Sequence, residues 1–295
     1  MRNRTFRVTT FGLLGLCLLF FGARSFLYYT LEEEAIATRP NGDATPERFG
    51  VPSTQFQFQS GDRTLHASLV RAEPGDSAAP AVLIYHGRRE TLSRWAEVQS
   101  LLYREGITSM VFDYSGFGSS TGEANIENLH DDGIEAWNYF VERITNSGQP
   151  RIVMGHSLGT GILLSGLQSL QPEPDLVILS APWSTARDAV IHLGMAPEEI
   201  YYLLPDVWNN LENIQNMDLP LLVVHGTEDS VIPISMGKKV AQAGGGTFIP
   251  MEGYGHREIT RHPTMDQWKP IIEAIHRAGE QKNRKSDMQG EDYSD

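Results

Sequence analysis

The chain has a single cysteine, Cys17, in 295 residues, which excludes an intramolecular disulfide and a thiolate zinc site and leaves the redox compartment open. Positive charge is scarce as well: 24 lysines and arginines against 37 aspartates and glutamates give a formal net charge of −13 at pH 7. Phosphate-backbone binding needs a basic surface, so no nucleic-acid partner is expected. The acidic excess reads as a solubility feature. No set of potential ligands has metal-site spacing, so neither a metal nor an organic cofactor is expected. Internal repeats are absent. What remains is an ordinary globular composition, 40% hydrophobic and 21% charged, on a chain long enough for one α/β domain with a large core.

The N-terminus carries Arg2, Arg4 and Arg7 ahead of an apolar run over 8–31 that Arg24 interrupts. As an uncleaved anchor this run exceeds the ~20 residues a bilayer requires, with Arg24 snorkelling and Tyr28 and Tyr29 at an interface. A cleaved signal peptide is the alternative, with Ala23-Arg24-Ser25 as its small-x-small site and a secreted or periplasmic product. The cleavage site is poor, which favours the anchor. A lipoprotein signal at Cys17 is weaker still, because Leu16 is bulky where a small residue is expected. Either main reading keeps the arginines in the cytoplasm and sends the following domain across the membrane. Residues 32–52, with three prolines and two glycines, read as a linker, and the polar residues 279–295 as a disordered tail.

Between them, 53–278 reads as one domain. Alternating residues over 55–59 and 64–70 around Ser60-Gly61-Asp62 predict an antiparallel hairpin. Strands are then predicted at 81–86, 109–113, 151–155, 176–181, 221–225 and 247–251, with helices over 92–104, 126–143, 158–170, 236–243 and 265–278. Repeated strand–helix units, with strands such as Ala81-Val-Leu-Ile-Tyr85 apolar throughout, predict a mostly parallel sheet covered by helices on both faces. The alternation fails over about 183–217, where short helical pieces with aromatics predict a small cap; Trp183, Tyr201, Tyr202 and Trp208 are its candidate pocket residues.

The chemistry centres on Gly155-His156-Ser157-Leu158-Gly159, which follows a β-branched apolar strand and precedes a helix-compatible run. Gly-x-Ser-x-Gly in that setting is the form of a nucleophile elbow, where the glycines make room for a sharp turn and the helix N-terminus faces the serine. A serine hydroxyl needs a base, and the base an orienting carboxylate. Asp229, in the loop after the strand over 221–225, is the carboxylate candidate, with its neighbour Glu228 as a solvated alternative. Of nine histidines only His256 and His262 closely follow the last strand, and His256, approached through Gly253 and Gly255 on either side of Tyr254, leads. The oxyanion donors are assigned to the backbone N–H groups of Arg88 and Leu158.

The set His86-Gly87, Asp113-Tyr-Ser-Gly-Phe-Gly-Ser-Ser120, Gly155-His-Ser-Leu-Gly159, Asp229-Ser-Val-Ile-Pro233 and Gly255-His256 resembles the α/β-hydrolase superfamily. It is most similar to the serine aminopeptidase-like, monoglyceride-lipase-like branch with a short cap, which includes membrane-anchored members. The resemblance implies an α/β-hydrolase fold, a Ser157–His256–Asp229 triad, and a structural Asp113 that shapes the pocket floor. It also implies a serine hydrolase acting on acyl or lipid-like carboxylic esters, with membrane contact through the N-terminal segment. A serine aminopeptidase, for which Glu198 and Glu199 are the candidate amine-binding pair, or a thioesterase is the alternative on the same fold. A non-catalytic binding protein is the other class, against which the complete set of serine, acid and base argues. Arg88-Arg89 after His86-Gly87 departs from the small or amide residues usual in relatives.

Overall fold

The computed structural model describes residues 36–72, 79–215 and 217–291, with side chains as far as Arg284, and scattered positions between 21 and 33. Its frame is one eight-stranded sheet in the order β1-β2-β4-β3-β5-β6-β7-β8. The strands are β1 (Thr54–Ser60), β2 (Arg63–Val70), β3 (Ala81–Tyr85), β4 (Thr108–Asp113), β5 (Arg151–His156), β6 (Leu176–Ser180), β7 (Leu221–Gly226) and β8 (Thr247–Met251). Only β1–β2 and β2–β4 pair antiparallel; every pairing from β4 to β8 is parallel.

The continuous apolar runs explain the layering. β3 is buried along its whole length, and the two-residue period of a strand sends Leu83 and Tyr85 into one core and Val82 and Ile84 into the other. Helices α1 (Leu92–Arg104) and α7 (Met265–Glu291) cover the second face with Trp95, Trp268 and Ile271. The first is covered by α2 (Ile126–Tyr139, continued by a wider turn over Phe140–Ile144), α3 (Leu158–Gly166) and α6 (Ile234–Ala243). The outer strands differ in kind. β1 pairs glutamines with Ser68, His66 and Thr64 across its solvent face, and β8 is half exposed and holds Pro250, which an edge strand tolerates.

Between β6 and β7 the chain leaves the sheet as α4 (Ala186–His192), a 3-10 turn (Glu198–Leu203) and α5 (Asn210–Ile214). Thr185 and Asn209 cap the two helices with their side chains and bridge to each other through the backbone. Val190, Ala196 and Leu204 form a small core of their own there. This is the region expected to be a cap.

Two expectations are corrected. The stretch 32–52 is packed rather than slack. Ile36 is buried in the main core, Glu32 Oε1 accepts the Ile126 N–H at 2.7 Å, and the carbonyl of Arg39 accepts from Gly118 N. Proline and glycine mark where this segment turns, and Ile36, Pro46 and Val51 are the buried side chains that seat it. The polar tail expected from 279 is helical as far as Glu291. Ala278 is buried, Lys282 Nζ reaches Asp175 at 2.8 Å and the carbonyl of Gln149 at 3.0 Å, and Glu280 pairs with Arg284 one turn on. A helix already nucleated by packing needs no apolar stripe to extend a few turns. The anchor or signal peptide expected at 1–31 lies outside the described residues except for positions such as Arg24, Tyr28 and Tyr29. Among the described residues no helix is long and apolar enough to cross a membrane.

Candidate active site

The C-terminal ends of β3, β5, β7 and β8 lie side by side because the strands share polarity, and the loops leaving them converge. After β5, Ser157 turns the chain into α3 with φ +50° and ψ −115°, a conformation a side chain adopts only under constraint. Its N–H is held by the Ser180 carbonyl at 2.9 Å. The flanking glycines are obligatory: a Cβ on Gly159 would stand 2.0 Å from the Tyr85 carbonyl oxygen, and one on Gly155 2.8 Å from that of Gly159. The strained turn leaves the Ser157 hydroxyl 2.9 Å from His256 Nε2, and His256 Nδ1 lies 2.7 Å from Asp229 Oδ2. Ser157, Asp229 and His256 are thus brought into one hydrogen-bonded row. His262 makes no such contact, and Glu228 is set at the loop surface.

The Asp229 side chain is shielded from solvent. Burial alone would raise its pKa, but hydrogen bonds from His225 and His256, the charge of His256 and the Ile232 N–H together hold it well below the usual carboxylate range. Its Oδ1 accepts the N–H groups of Val231 at 2.9 Å and Ile232 at 2.8 Å, leaving Oδ2 for the imidazole. His225 Nε2 lies 2.9 Å from the Ile232 carbonyl, which fixes that nitrogen as the proton carrier, and 3.2 Å from Asp229 Oδ2.

On the other side of Ser157, the loop after β3 runs His86-Gly87-Arg88-Arg89-Glu90, with Arg89 in the left-handed region at φ +58°. Glu90 is buried, and its carboxylate accepts the Gly87 N–H at 2.8 Å, Trp95 Nε1 at 3.0 Å and the Thr260 hydroxyl at 3.2 Å. It ties this loop to α1 and to the segment after His256. Asp113 Oδ1 accepts the Leu92 N–H at the start of α1, and a Cβ on Gly118 would fall 1.9 Å from Asp113 Oδ2. The Asp113 motif therefore shapes the loop's support, away from the reacting centre. His156 is buried between Glu90 and His256; burial pushes its pKa down to about 4, against the pull of Glu90, so its ring is neutral at pH 7.

A cleft of about 850 Å³ opens over Ser157, with Arg88 and Leu158 at its base, and its walls are mainly apolar. Of the four aromatics singled out in the sequence, Trp183 and Trp208 line it. Tyr201 and Tyr202 do not. The Tyr201 hydroxyl donates to Asp188 Oδ1 at 3.0 Å and its ring lies under Arg187, while Tyr202 is 87% exposed. Aromatic spacing over 201–208 alone could not say which face of the 3-10 turn met the cleft. The wall comes instead from α4 (Ala186, Ala189, Val190) and from Val231 and Ile232.

Comparison with known proteins bears on the fold. A family model described as serine aminopeptidase, S33, matches residues 76–204, which takes in the elbow and half of the cap but neither Asp229 nor His256. An alpha-beta hydrolase from Vibrio vulnificus superposes with a TM-score of 0.69 at 20% identity, over 85% of this chain and 92% of that one. The chain has the α/β-hydrolase fold. The esterase Pf2001 of Pyrococcus furiosus shares it, with a TM-score of 0.63 at 18% identity over 82% of this chain and 99% of that one. In sequence, the chain is similar to the lysophosphatidylserine lipase ABHD12 of Xenopus tropicalis, 28% identical over 217 residues, 64% of this chain and 56% of that protein. It is also similar to the protein ABHD12B of Homo sapiens, 27% identical over 215 residues, 63% of this chain and 58% of that one. The chain thus spans little more than half the length of the curated relatives it matches.

Within this α/β-hydrolase fold, sequence reasoning missed Glu90. A carboxylate three residues past Gly87 looks like any loop charge, and only its burial among three donors reveals its role. It also missed the tuning of His156, which sits inside the elbow motif as its variable residue.

Proposed function

We propose that this chain is a serine hydrolase that cleaves carboxylic esters of acyl or lipid-like substrates through an acyl-enzyme. The observation that carries the reading is the hydroxyl–imidazole–carboxylate row, 2.9 and 2.7 Å long, at the base of an apolar cleft. In this reading His256 Nε2 takes the Ser157 proton as Oγ attacks the ester carbonyl, and Asp229 holds Nδ1–H and stabilises the imidazolium. The Arg88 and Leu158 amides face the developing oxyanion, and His256 returns its proton to the departing alcohol. Water then gives a proton to His256 as its oxygen attacks the acyl carbon, and the bond to Ser157 Oγ breaks as His256 returns the proton to that oxygen, which frees the carboxylic acid and restores the serine.

The names of the relatives, lysophosphatidylserine lipases, support a lipid ester. The aminopeptidase alternative requires carboxylates for a substrate amine, but Glu198 and Glu199 are exposed and do not line the cleft, and the one carboxylate that does, Glu90, is committed to three donors. A fluorophosphonate probe tests the reading. Wild-type chain should be labelled and Ser157→Ala should not; a folded wild type that resists labelling would support a binding protein instead. We further take the apolar run over 8–31 as a membrane anchor with the catalytic domain outside the cytoplasm, on its length and its preceding arginines. Full-length protein should stay in the pellet on alkaline carbonate extraction, and a shortened soluble product would favour a cleaved signal peptide.

A further inference from the structure

A buried histidine beside the polar row has no part in the proposed reaction. His225 stands at the end of β7, four residues before Asp229, and its side chain is shielded from solvent. Strand alternation turns it to the same face as Val223, where α6 passes so close that a Cβ on Gly237 would stand 2.4 Å from His225 Nδ1. Among the described residues Nδ1 has no hydrogen-bond partner. A buried nitrogen left unpaired costs stability, and a leucine would fill the same space without that cost, so packing does not account for an imidazole here. The other nitrogen does. Nε2 lies 2.9 Å from the Ile232 carbonyl and 3.2 Å from Asp229 Oδ2. A carbonyl can only accept, so Nε2 carries the proton, and the positive end of that N–H dipole stands beside the oxygen that His256 Nδ1 meets at 2.7 Å.

The two loops that carry Asp229 and His256 are already joined through the backbone. Thr227 N donates to the Met251 carbonyl and Glu228 N to that of Tyr254, each at 3.0 Å, and a Cβ on Gly226 would fall 2.1 Å from the Tyr254 oxygen. The amides of Val231 and Ile232 hold Oδ1, so the place of Oδ2 depends on its side-chain neighbours. Burial pushes the Asp229 pKa up, and the hydrogen bond from His225 comes first among the interactions that outweigh it. We propose that His225 is a positioning residue for the Ser157–His256–Asp229 row: its one N–H, set between the Ile232 carbonyl and Asp229 Oδ2, fixes the rotation of the carboxylate and keeps it anionic while His256 carries the serine's proton. The inference rests on the hydrolase reading above and adds a group that acts through Asp229 without touching substrate, since His225 does not line the cleft. Besides Asp229 and His256, the titratable groups facing His225 are His156 at the end of β5 and Tyr254 in the hollow behind His256. Glu228 is exposed, α6 offers only the exposed Lys238 and Lys239, and β6 and β8 carry no ionisable side chain.

Without that N–H the carboxylate is less well satisfied and strengthens the hold of His256 on a proton, so the base becomes free only at higher pH. The loosened carboxylate also orients the imidazole less well, which lowers kcat rather than raising KM. The test follows kcat and KM for a p-nitrophenyl ester across pH with the full chain. His225→Leu should move the acid limb of kcat/KM up by about half a unit to one unit and cut kcat about tenfold at unchanged KM, the size of a partly lost charge-assisted hydrogen bond. His225→Gln, whose amide nitrogen falls where Nε2 stands, should return the limb to its wild-type position and recover most of kcat. His225→Asn carries the same amide one bond short and should behave as the leucine variant does; if the leucine variant does not fold, the contrast between Asn and Gln decides. A His225→Leu enzyme that keeps the wild-type limb and only melts lower would overturn the inference and make the ring a packing element. Identical limbs for the Gln and Asn variants would overturn it too, because the reach of the donor would then not matter. In both cases a wild type that turns over the ester and takes up the fluorophosphonate at Ser157 leaves the hydrolase reading standing, whereas a folded wild type that does neither removes both.

Discussion

The floor and the roof of the cleft are built on different principles. Below, Ser157, Asp229 and His256 stand in the loops that leave parallel strands at one end of the sheet, and each polar atom has an assigned partner: Ser180 holds the serine backbone, and Val231 and Ile232 hold the carboxylate. Above, α4, α5 and the 3-10 turn carry only a three-residue core of their own, with Leu193, Tyr202 and Leu203 facing solvent. A geometry that must be right to a fraction of an ångström is placed where packing determines it. A wall that has only to be apolar and of a certain length is placed where substitution is cheap. Changes in the floor should therefore act on kcat by orders of magnitude, and changes in the roof on substrate choice by small factors.

The largest break comes from Asp229→Asn. The amide would leave His256 in the wrong tautomer, and kcat on a p-nitrophenyl ester should fall about ten-thousandfold with the fold intact by circular dichroism. A loss under tenfold would remove Asp229 from the row. Next is Glu90→Gln, which weakens the tie between the Gly87 amide, Trp95 and Thr260. Here kcat should drop by about tenfold to a hundredfold with KM little changed, because the loop whose Arg88 amide we propose as an oxyanion donor would shift rather than lose that amide. An effect on Tm alone would restrict Glu90 to folding.

His156 sharpens the comparison through pH. Its folded pKa, about 4, is depressed below the ordinary value of 6.5, so on acidification the unfolded chain takes up the proton first. The associated stability is complete above about 6.5 and is lost as pH falls towards 4, by up to about 3 kcal/mol. Urea titrations at pH 7 and pH 4.5 should show it, and His156→Gln should flatten the difference. Asp229 acts in a separate window. Its depressed folded pKa gives stability that is present above the unfolded value, near 4, and is lost at still lower pH. The smallest effects belong to the roof. Val190→Phe should shift the acyl-chain optimum towards shorter esters by several-fold in kcat/KM, because Val190 lines the cleft, whereas Tyr202→Ala should change rate and stability by no more than about 0.5 kcal/mol.

This division also governs what the primary structure disclosed. β3, β6 and β7 were legible because a strand buried on both faces must be mainly apolar, and the elbow because a strained serine must have glycines around it. Asp229 and His256 were legible because parallel strands deliver their following loops to one end. The roof was not, since short helices on a small core leave no long periodicity, and so Tyr201 and Tyr202 could not be told from Trp183 and Trp208. Glu90 was invisible for another reason: Trp95 and Thr260, two of its three donors, lie on separate elements and meet it only through the fold. The helix beyond Ala278 was missed because its hold on the domain, Lys282 to Asp175 and the Gln149 carbonyl, is polar and nonlocal.

The docking of Glu32 and Ile36 reaches beyond the core they join. Tyr28 and Glu32 share a narrow apolar crevice with Ala186, Val190 and Leu204, so the chain approaches the domain along the back of α4, whose front lines the cleft. Ala186 and Val190 border both hollows, so one thin helical wall separates Tyr28 and Glu32 from the cleft. A change in the bulk of either residue is therefore felt on two sides at once, in the shape of the cleft and in the seat of the N-terminal approach.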